Sequence, residues 1–350
     1  MAEKFEMRFD RGRWKFALVG LGAAARSIHL PAYSKEPSIE VVGGHDLHPA
    51  DDLRLPFFGD FQQMLEQQNP DVVVVATPPE THFHYARTAL LSGCHVICEK
   101  PLASTIEEAE TLADVAKSSG RHLVVNNQYR FMKIHSVPQS LIGTESFGTL
   151  RYVKLLQTFR CNEETEKGWR GCQTRRTCLE FGTHAIDLCR FFFGSEPERM
   201  TASLPRISDS EPDLLNLIQP DFPGARTAFI ELNRLTRGPH RYLEARLDGS
   251  ESCIETRLGG GVSLTLGLRG GTRRPYCDLD ASMGGWARLY RGEEHETIAR
   301  ESLNPFSDAT LNLVRAFLRA LDAGTVPPCD ITDNIKTFSL MLKAYEQAGY

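Results

Sequence analysis

Four valines in a row, Val72–Val75, constrain the fold of this chain more than any other feature. The run is too short for a helix. As a strand it has no polar residue to turn towards water, so it must be covered on both faces. Short apolar runs recur at the same rhythm around it. Phe16–Val19, Ile39–Gly43, Asp71–Ala76, His95–Cys98 and Arg121–Asn126 read as strands; Ala24–Tyr33, Asp60–Gln68, Thr81–Ser92 and Ile106–Ser119 read as helices. Ser104 or Thr105 can cap the last helix, and Glu107 and Glu108 lie in its first turn. This alternation predicts an α/β domain over residues 1–126 with a doubly wound parallel sheet and right-handed crossovers.

After residue 127 the texture changes. Gly148–Phe159 reads as a turn and a long strand, Thr183–Phe193 as a helix, and Thr227–Leu232, Tyr242–Leu247 and Ser263–Leu268 as strands. They predict an α+β domain over 127–330 built on a large, mostly antiparallel, open sheet. Asp308–Asp322 and Asn334–Gln347 are amphipathic helices separated by the stop Pro327-Pro328, and 331–350 forms the closing helix.

Bulk properties exclude several classes. A net charge of -5 implies no basic face for nucleic acid. No stretch approaches the roughly 18 apolar residues of a membrane span. The first residues lack the apolar core of a secretory signal, so a cytoplasmic protein is expected. The 9 cysteines form no Cys-x-x-Cys pair, which argues for reduced thiols rather than a zinc ribbon or redox motif. His82 and His84 are two apart on a predicted helix and point to different faces, and no metal site is expected.

Chemistry enters at the first strand–helix turn, Gly20-Leu21-Gly22-Ala23-Ala24-Ala25. Gly20 permits the tight turn, Gly22 lets backbone approach a pyrophosphate, and Ala25 packs helix on strand, leaving N–H groups and a positive helix end for the phosphates. Asp46 closes the second strand, where a carboxylate binds the adenine-ribose 2′-OH and repels a 2′-phosphate. The expected cofactor is therefore NAD, with NADP possible because Arg54 is not far away and can offset the charge. Thr77 and Pro78 end the valine strand, at the sheet edge where ligands sit, and with His82 are candidates for covering the dinucleotide. His82 can equally cap or pack its helix. Lys100 follows another buried strand, where the reactive ring of such a cofactor would lie.

These residues resemble the glucose–fructose oxidoreductase/inositol dehydrogenase (Gfo/Idh/MocA) family. The resemblance is carried by Val19-Gly20-Leu21-Gly22, Ala76-Thr77-Pro78-Pro79-Glu80-Thr81-His82, Glu99-Lys100-Pro101-Leu102 and Gly182-Thr183-His184-Ala185-Ile186-Asp187, and covers nearly the whole chain. It implies an N-terminal NAD(P)-binding Rossmann domain and a second domain whose open sheet builds homodimers or homotetramers. It also implies hydride transfer between a nicotinamide and a carbinol or carbonyl carbon of a sugar, cyclitol or similar polyol, with Pro101 as a cis-proline that aims Lys100 at the substrate. His184 suits the base that takes the hydroxyl proton, and Lys100 the cation that steadies the alkoxide. Where many family members carry Asp four residues before this histidine, Glu180 stands here, an expected catalytic helper or substrate ligand that can share a helix face with His184. Asp187 can orient His184 or meet substrate. Glu99 and Gln128 belong to the expected cofactor surround, and Arg130, Trp169 and Arg170 to the substrate side, where Trp stacks on a sugar face and Arg grips an anion. Arg175-Arg176 adds to the same basic stretch. Alternatives are an imine or double-bond reductase, a closed-cycle enzyme with tightly held NAD, and a non-catalytic metabolite sensor.

Overall fold

The computed structural model describes residues 12–49, 52–161, 170–171, 173–206, 212–238, 241–259, 261–269, 274–282 and 284–350. Two compact units divide the chain: Met1–Asn126 with Thr310–Ile335, and Asn127–Ala309 with Lys336–Tyr350.

The first unit holds six strands, β1 (Trp14–Val19), β2 (Ile39–His45), β3 (Phe57–Phe58), β4 (Val72–Val75), β5 (His95–Cys98) and β6 (Leu123–Val125). They form one sheet in the order β3-β2-β1-β4-β5-β6, every pairing parallel. This is the doubly wound order in which strands on either side of β1 run outward in opposite directions and leave a crevice at their carboxyl ends. All four valines of β4 and Phe16–Val19 of β1 are fully buried, as strands covered on both faces must be.

The crossover helices are α1 (Leu30–Tyr33), α2 (Phe61–Gln68), α3 (His82–Leu91) and α4 (Ile106–Ser119). Local chemistry sets their ends. Asp60 caps α2 by accepting from the Gln63 N–H at 2.7 Å. Thr105 accepts from the Glu108 N–H, and the Glu108 carboxylate accepts from the Ser104 N–H, so two orphan donors at the start of α4 are satisfied reciprocally. The stretch expected as a helix over Ala24–Tyr33 is helical, but it is wound as a wide π-turn over Ala25–His29 before α1. Pro31 has no N–H and its ring crowds the carbonyl four residues back, which favours the wider winding.

In the second unit, α5 (Lys133–Leu141) precedes β7 (Tyr152–Thr158), and α6 (Thr183–Phe193) precedes β8 (Arg199–Ser203), β9 (Leu215–Phe222), β10 (Arg226–Asn233), β11 (Arg241–Asp248) and β12 (Cys253–Leu258). A hairpin, β13 (Gly261–Arg269) and β14 (Arg274–Ser282), pairs only with itself, and β15 (Gly285–Arg291) and β16 (Glu294–Arg300) complete the set. Eight strands form a sheet ordered β16-β15-β12-β11-β7-β10-β9-β8, antiparallel except for β7 with β10. Along β10 the buried residues Ala228, Ile230 and Leu232 alternate with half-buried ones, the pattern of a sheet with one packed face. The last helices, α7 (Pro305–Ala323) and α8 (Ile331–Gln347), each contribute to both units. Between them the Cys329 carbonyl accepts from the Val125 N–H at 3.0 Å, part of an isolated antiparallel bridge at the β6 edge. Among the described residues no helix is long and apolar enough to cross a membrane, and no cysteine is in a disulfide.

Candidate active site

The turn after β1 is built from backbone. Gly20 has φ +86, and a Cβ there would lie 2.6 Å from the Ala76 carbonyl oxygen, so only glycine fits between β1 and the end of β4. The Leu21 N–H donates to Asp46 Oδ2 at 2.7 Å, which fastens the carboxylate at the end of β2 to the turn. A Cβ at Gly22 would meet nothing within 4 Å; the turn opens onto free space beside exposed Gly22 and Ala23 and half-buried Ala24. Ala25 and Leu21 are buried beneath it. Arg26 donates from Nε to the Leu21 carbonyl at 2.8 Å and pairs with Asp52, while Arg54 is exposed. An open, small-sided turn with a carboxylate at its rim fits a dinucleotide, and the Asp46 charge opposes a 2′-phosphate.

Beyond β4, Thr77 accepts at its hydroxyl from Thr81 at 2.8 Å, and Pro78 is exposed. His82 is buried. Its Nδ1 lies 2.8 Å from the Pro101 carbonyl oxygen and its Nε2 2.9 Å from that of Thr77. The histidine thus ties the loop after β4 to the loop after β5, and both ring nitrogens face protein backbone. Burial pushes its pKa down, outweighing the two carbonyls and the Glu99 and Glu80 carboxylates.

Lys100 is half-buried after β5, and the Lys100–Pro101 bond is cis, as the resemblance implies. Glu99, 8% exposed, accepts at Oε1 from Asn126 Nδ2 at 2.8 Å and lies 2.9 Å from His29 Nε2; its Oε2 accepts from the Lys100 N–H at 3.3 Å. His29 Nδ1 in turn meets the Tyr33 hydroxyl at 2.8 Å. Burial alone would raise the Glu99 pKa, but the His29 contact, the Lys100 charge and the Asn126 amide hold it down at about 2. A carboxylate is thereby kept ionised under the lysine.

In the second unit a wide turn, Cys178–Gly182, leads into α6. His184, 4% exposed, lies flat on the ring of Tyr129, with centroids 4.0 Å apart and planes within 1°. Glu180 is buried, accepts from Arg170 Nε at 2.9 Å and pairs with Arg176. Asp187 accepts from Arg130 Nε at 2.7 Å and Nη2 at 2.5 Å, from Asn127 at 3.1 Å and from Thr337 at 3.2 Å. Asp187 and Arg130, both expected to face substrate, are therefore bound to each other. A bidentate pair in a buried setting spends both charges internally. Gln128 is buried, and its Oε1 has no hydrogen-bond partner among the described residues, leaving an acceptor for a ligand donor. Trp169 lies outside the described residues.

His29, Tyr33, Asn126, Tyr129 and Tyr242 were not singled out by the sequence. His29 and Tyr33 stand four apart on one helical stretch, a local signal that a pair was present; the others meet their partners only through the fold.

A parallel sheet of this order, with a glycine turn and an acid at the next strand end, defines a dinucleotide-binding oxidoreductase. Residues 14–127 match the model of the oxidoreductase family with an NAD-binding Rossmann fold, and residues 139–255 match the GFO/IDH/MocA C-terminal domain; the chain belongs to this GFO/IDH/MocA family. It is 25% identical to D-apiose dehydrogenase of Paraburkholderia graminis over 96% of this chain and 88% of that protein. It is 23% identical to D-xylose 1-dehydrogenase (NADP(+)) 2 of Haloferax volcanii over 85% of each. Levoglucosan dehydrogenase, solved with NADH and levoglucosan, shares the fold with a TM-score of 0.79 at 17% identity, over 96% of this chain and 97% of that one.

Proposed function

We propose that this protein is an NAD-dependent dehydrogenase that oxidises a carbinol carbon of a sugar or related polyol, or reduces the corresponding carbonyl. The observation that carries this reading is Lys100 at the carboxyl end of β5 with ionised Glu99 fixed beneath it, because doubly wound sheets bind ligands outside those strand ends. The relatives named for D-apiose, D-xylose and levoglucosan support a sugar-like substrate.

When bound, NAD supplies the hydride acceptor. Gly20, Leu21, Gly22, Ala23, Ala24 and Ala25 would hold its pyrophosphate and Asp46 its ribose, with Thr77, Pro78 and Gln128 around the rest; Asp46 favours NAD over NADP. Lys100 steadies negative charge on the substrate oxygen. His184 takes the hydroxyl proton in oxidation and returns it in reduction. Glu180 holds Arg170, whose half-exposed guanidinium meets the substrate's polar groups, while the Asp187–Arg130 pair keeps α6 in place. A homodimer or homotetramer through the open face of the eight-stranded sheet, in the cytoplasm, completes the reading; light scattering of the purified protein tests the assembly.

The test is NADH formation from D-apiose, D-xylose, levoglucosan and related sugars, with Lys100→Met in parallel. Turnover on one of them that is lost in Lys100→Met is expected. NAD that stays bound and cycles without net NADH would replace this reading with the closed-cycle one.

A further inference from the structure

The imidazole of His184 belongs to a stack of rings. Tyr129 covers one of its faces at 4.0 Å and 1°, closer and more nearly parallel than any other ring pair among the described residues. Tyr129 is itself held. The ring of His135, from α5, stands 6.1 Å away at 26°, and its Nδ1 lies 2.8 Å from the Tyr129 carbonyl oxygen. Phe306, at the start of α7, packs 5.9 Å from Tyr129 and 5.3 Å from Tyr242 of β11. Phe306 thus bridges the rings of Tyr129 and Tyr242. Tyr129 is 3% exposed and Tyr242 42%, so the rings lead from a buried imidazole to a phenol in contact with solvent.

Two consequences follow from flat stacking. The plane of the imidazole is fixed, so its nitrogens can address partners only within that plane. The negative π face of a tyrosine also attracts a cation, most strongly in a desolvated site. We propose that Tyr129 is a positioning residue for His184, setting the plane of its ring and steadying the imidazolium that forms when it takes a substrate proton, with His135 and Phe306 holding Tyr129 from behind. This rests on the reading that His184 moves that proton.

The ionisable groups around the stack are few. Glu180 and Asp187, on the same helical stretch as His184, are both engaged by arginines: Arg170 and Arg176 for the first, Arg130 and Arg190 for the second. Tyr242 approaches from β11 through Phe306, and His135 from α5, behind Tyr129. Burial raises the Tyr129 phenol pKa well above its ordinary value and that of Tyr242 also upward, so both stay neutral while a histidine titrates.

The experiment is a pH titration of the histidine signals of the full chain by NMR, with the His184 signal assigned through His184→Gln. The wild type is compared with Tyr129→Leu and Tyr129→Phe. Tyr129→Leu removes the π face and is expected to lower the proton affinity of His184 by about threefold to tenfold. The acid limb of kcat/KM for oxidation should move down in pH by the same factor. Tyr129→Phe keeps the face and should restore most of the shift. If Tyr129→Leu does not fold, Tyr129→Met fills the volume without a π face and decides in its place. A His184 titration unchanged by loss of the ring, or a phenylalanine as damaging as leucine, overturns the proposal. The two readings fail separately: full turnover in His184→Gln removes the proton-transfer role but leaves a shifted titration standing, whereas an unshifted titration with an inactive His184→Gln removes only the role of Tyr129.

Discussion

The two units place their reactive groups with different materials. In the first, backbone builds the cofactor turn and its rim: a glycine that leaves room beside Ala76, an N–H that holds Asp46, and two carbonyls that face His82, with the Glu99 network as its one side-chain grip. In the second, side chains from distant segments grip one another. Asp187 takes Arg130 from 57 positions upstream and Thr337 from 150 downstream, and His184 rests on a ring from another element. A backbone-built site is specified by a few turn residues and is insensitive to most other side chains. A side-chain-built site needs every partner, and each partner can be lost singly.

Removing one reactive group from each unit tests whether both serve one reaction. Lys100→Met and His184→Gln should each lower kcat by about 10²–10⁴-fold in a steady-state assay. Wild-type turnover in either would take that unit's group out of the chemistry. Next in size is the side-chain grip itself. Arg130→Met removes the bidentate partner of buried Asp187 and leaves only Arg190, 4.0 Å away, so it should cost about 3 kcal/mol in urea unfolding. A loss near zero would mean that Arg190, Asn127 and Thr337 suffice. The backbone counterpart is Gly20→Ala, expected to cost about 3 kcal/mol, because the new Cβ meets the Ala76 carbonyl and φ is positive. A well-folded Gly20→Ala protein of wild-type stability would show that the turn can shift.

Glu99 sharpens the contrast through pH. Its carboxylate sits at about 2 in the folded protein against an ordinary 4.5, so its contribution is complete above about pH 4.5 and is lost as pH falls towards 2. The stabilisation amounts to about 3 kcal/mol. Acid unfolding of Glu99→Gln should lack that slope, and an identical slope would assign it to other carboxylates. The smallest effect is expected at Asp46. Asp46→Ala should weaken NAD about tenfold and narrow its advantage over NADP, as read by calorimetry. Unchanged preference would move the discrimination to Arg26 or Arg54.

The same division governs what the sequence reveals. The limits of α4 and α6, and of β5, can be read to the residue because caps, turn glycines and apolar period are local signals. The parallel sheet follows from the alternation, and the glycine turn with Asp46 from spacing. The π-turns at Ala25–His29 and Cys178–Gly182 leave no such mark, since the apolar period does not distinguish bonds closing over four residues from bonds closing over five. The order of the eight-stranded sheet depends on pairing between distant segments. So do the contacts of Glu99 with His29, 70 positions away, and of Asp187 with Arg130. Charged residues in a motif look available when read alone; whether another side chain has already engaged them is decided only by the fold.

His82 carries a consequence of its place between two carbonyl oxygens. A carbonyl has no hydrogen to offer, so every hydrogen in those two contacts must come from the ring. A neutral imidazole brings one and satisfies one neighbour; satisfying both takes a second proton, which the buried setting resists. The loop after β4 and the loop that carries Lys100 therefore share a proton inventory. While the ring stays neutral its single hydrogen serves one loop at a time, and moving it from one nitrogen to the other passes the hydrogen bond from the loop after β4 to the loop that carries Lys100.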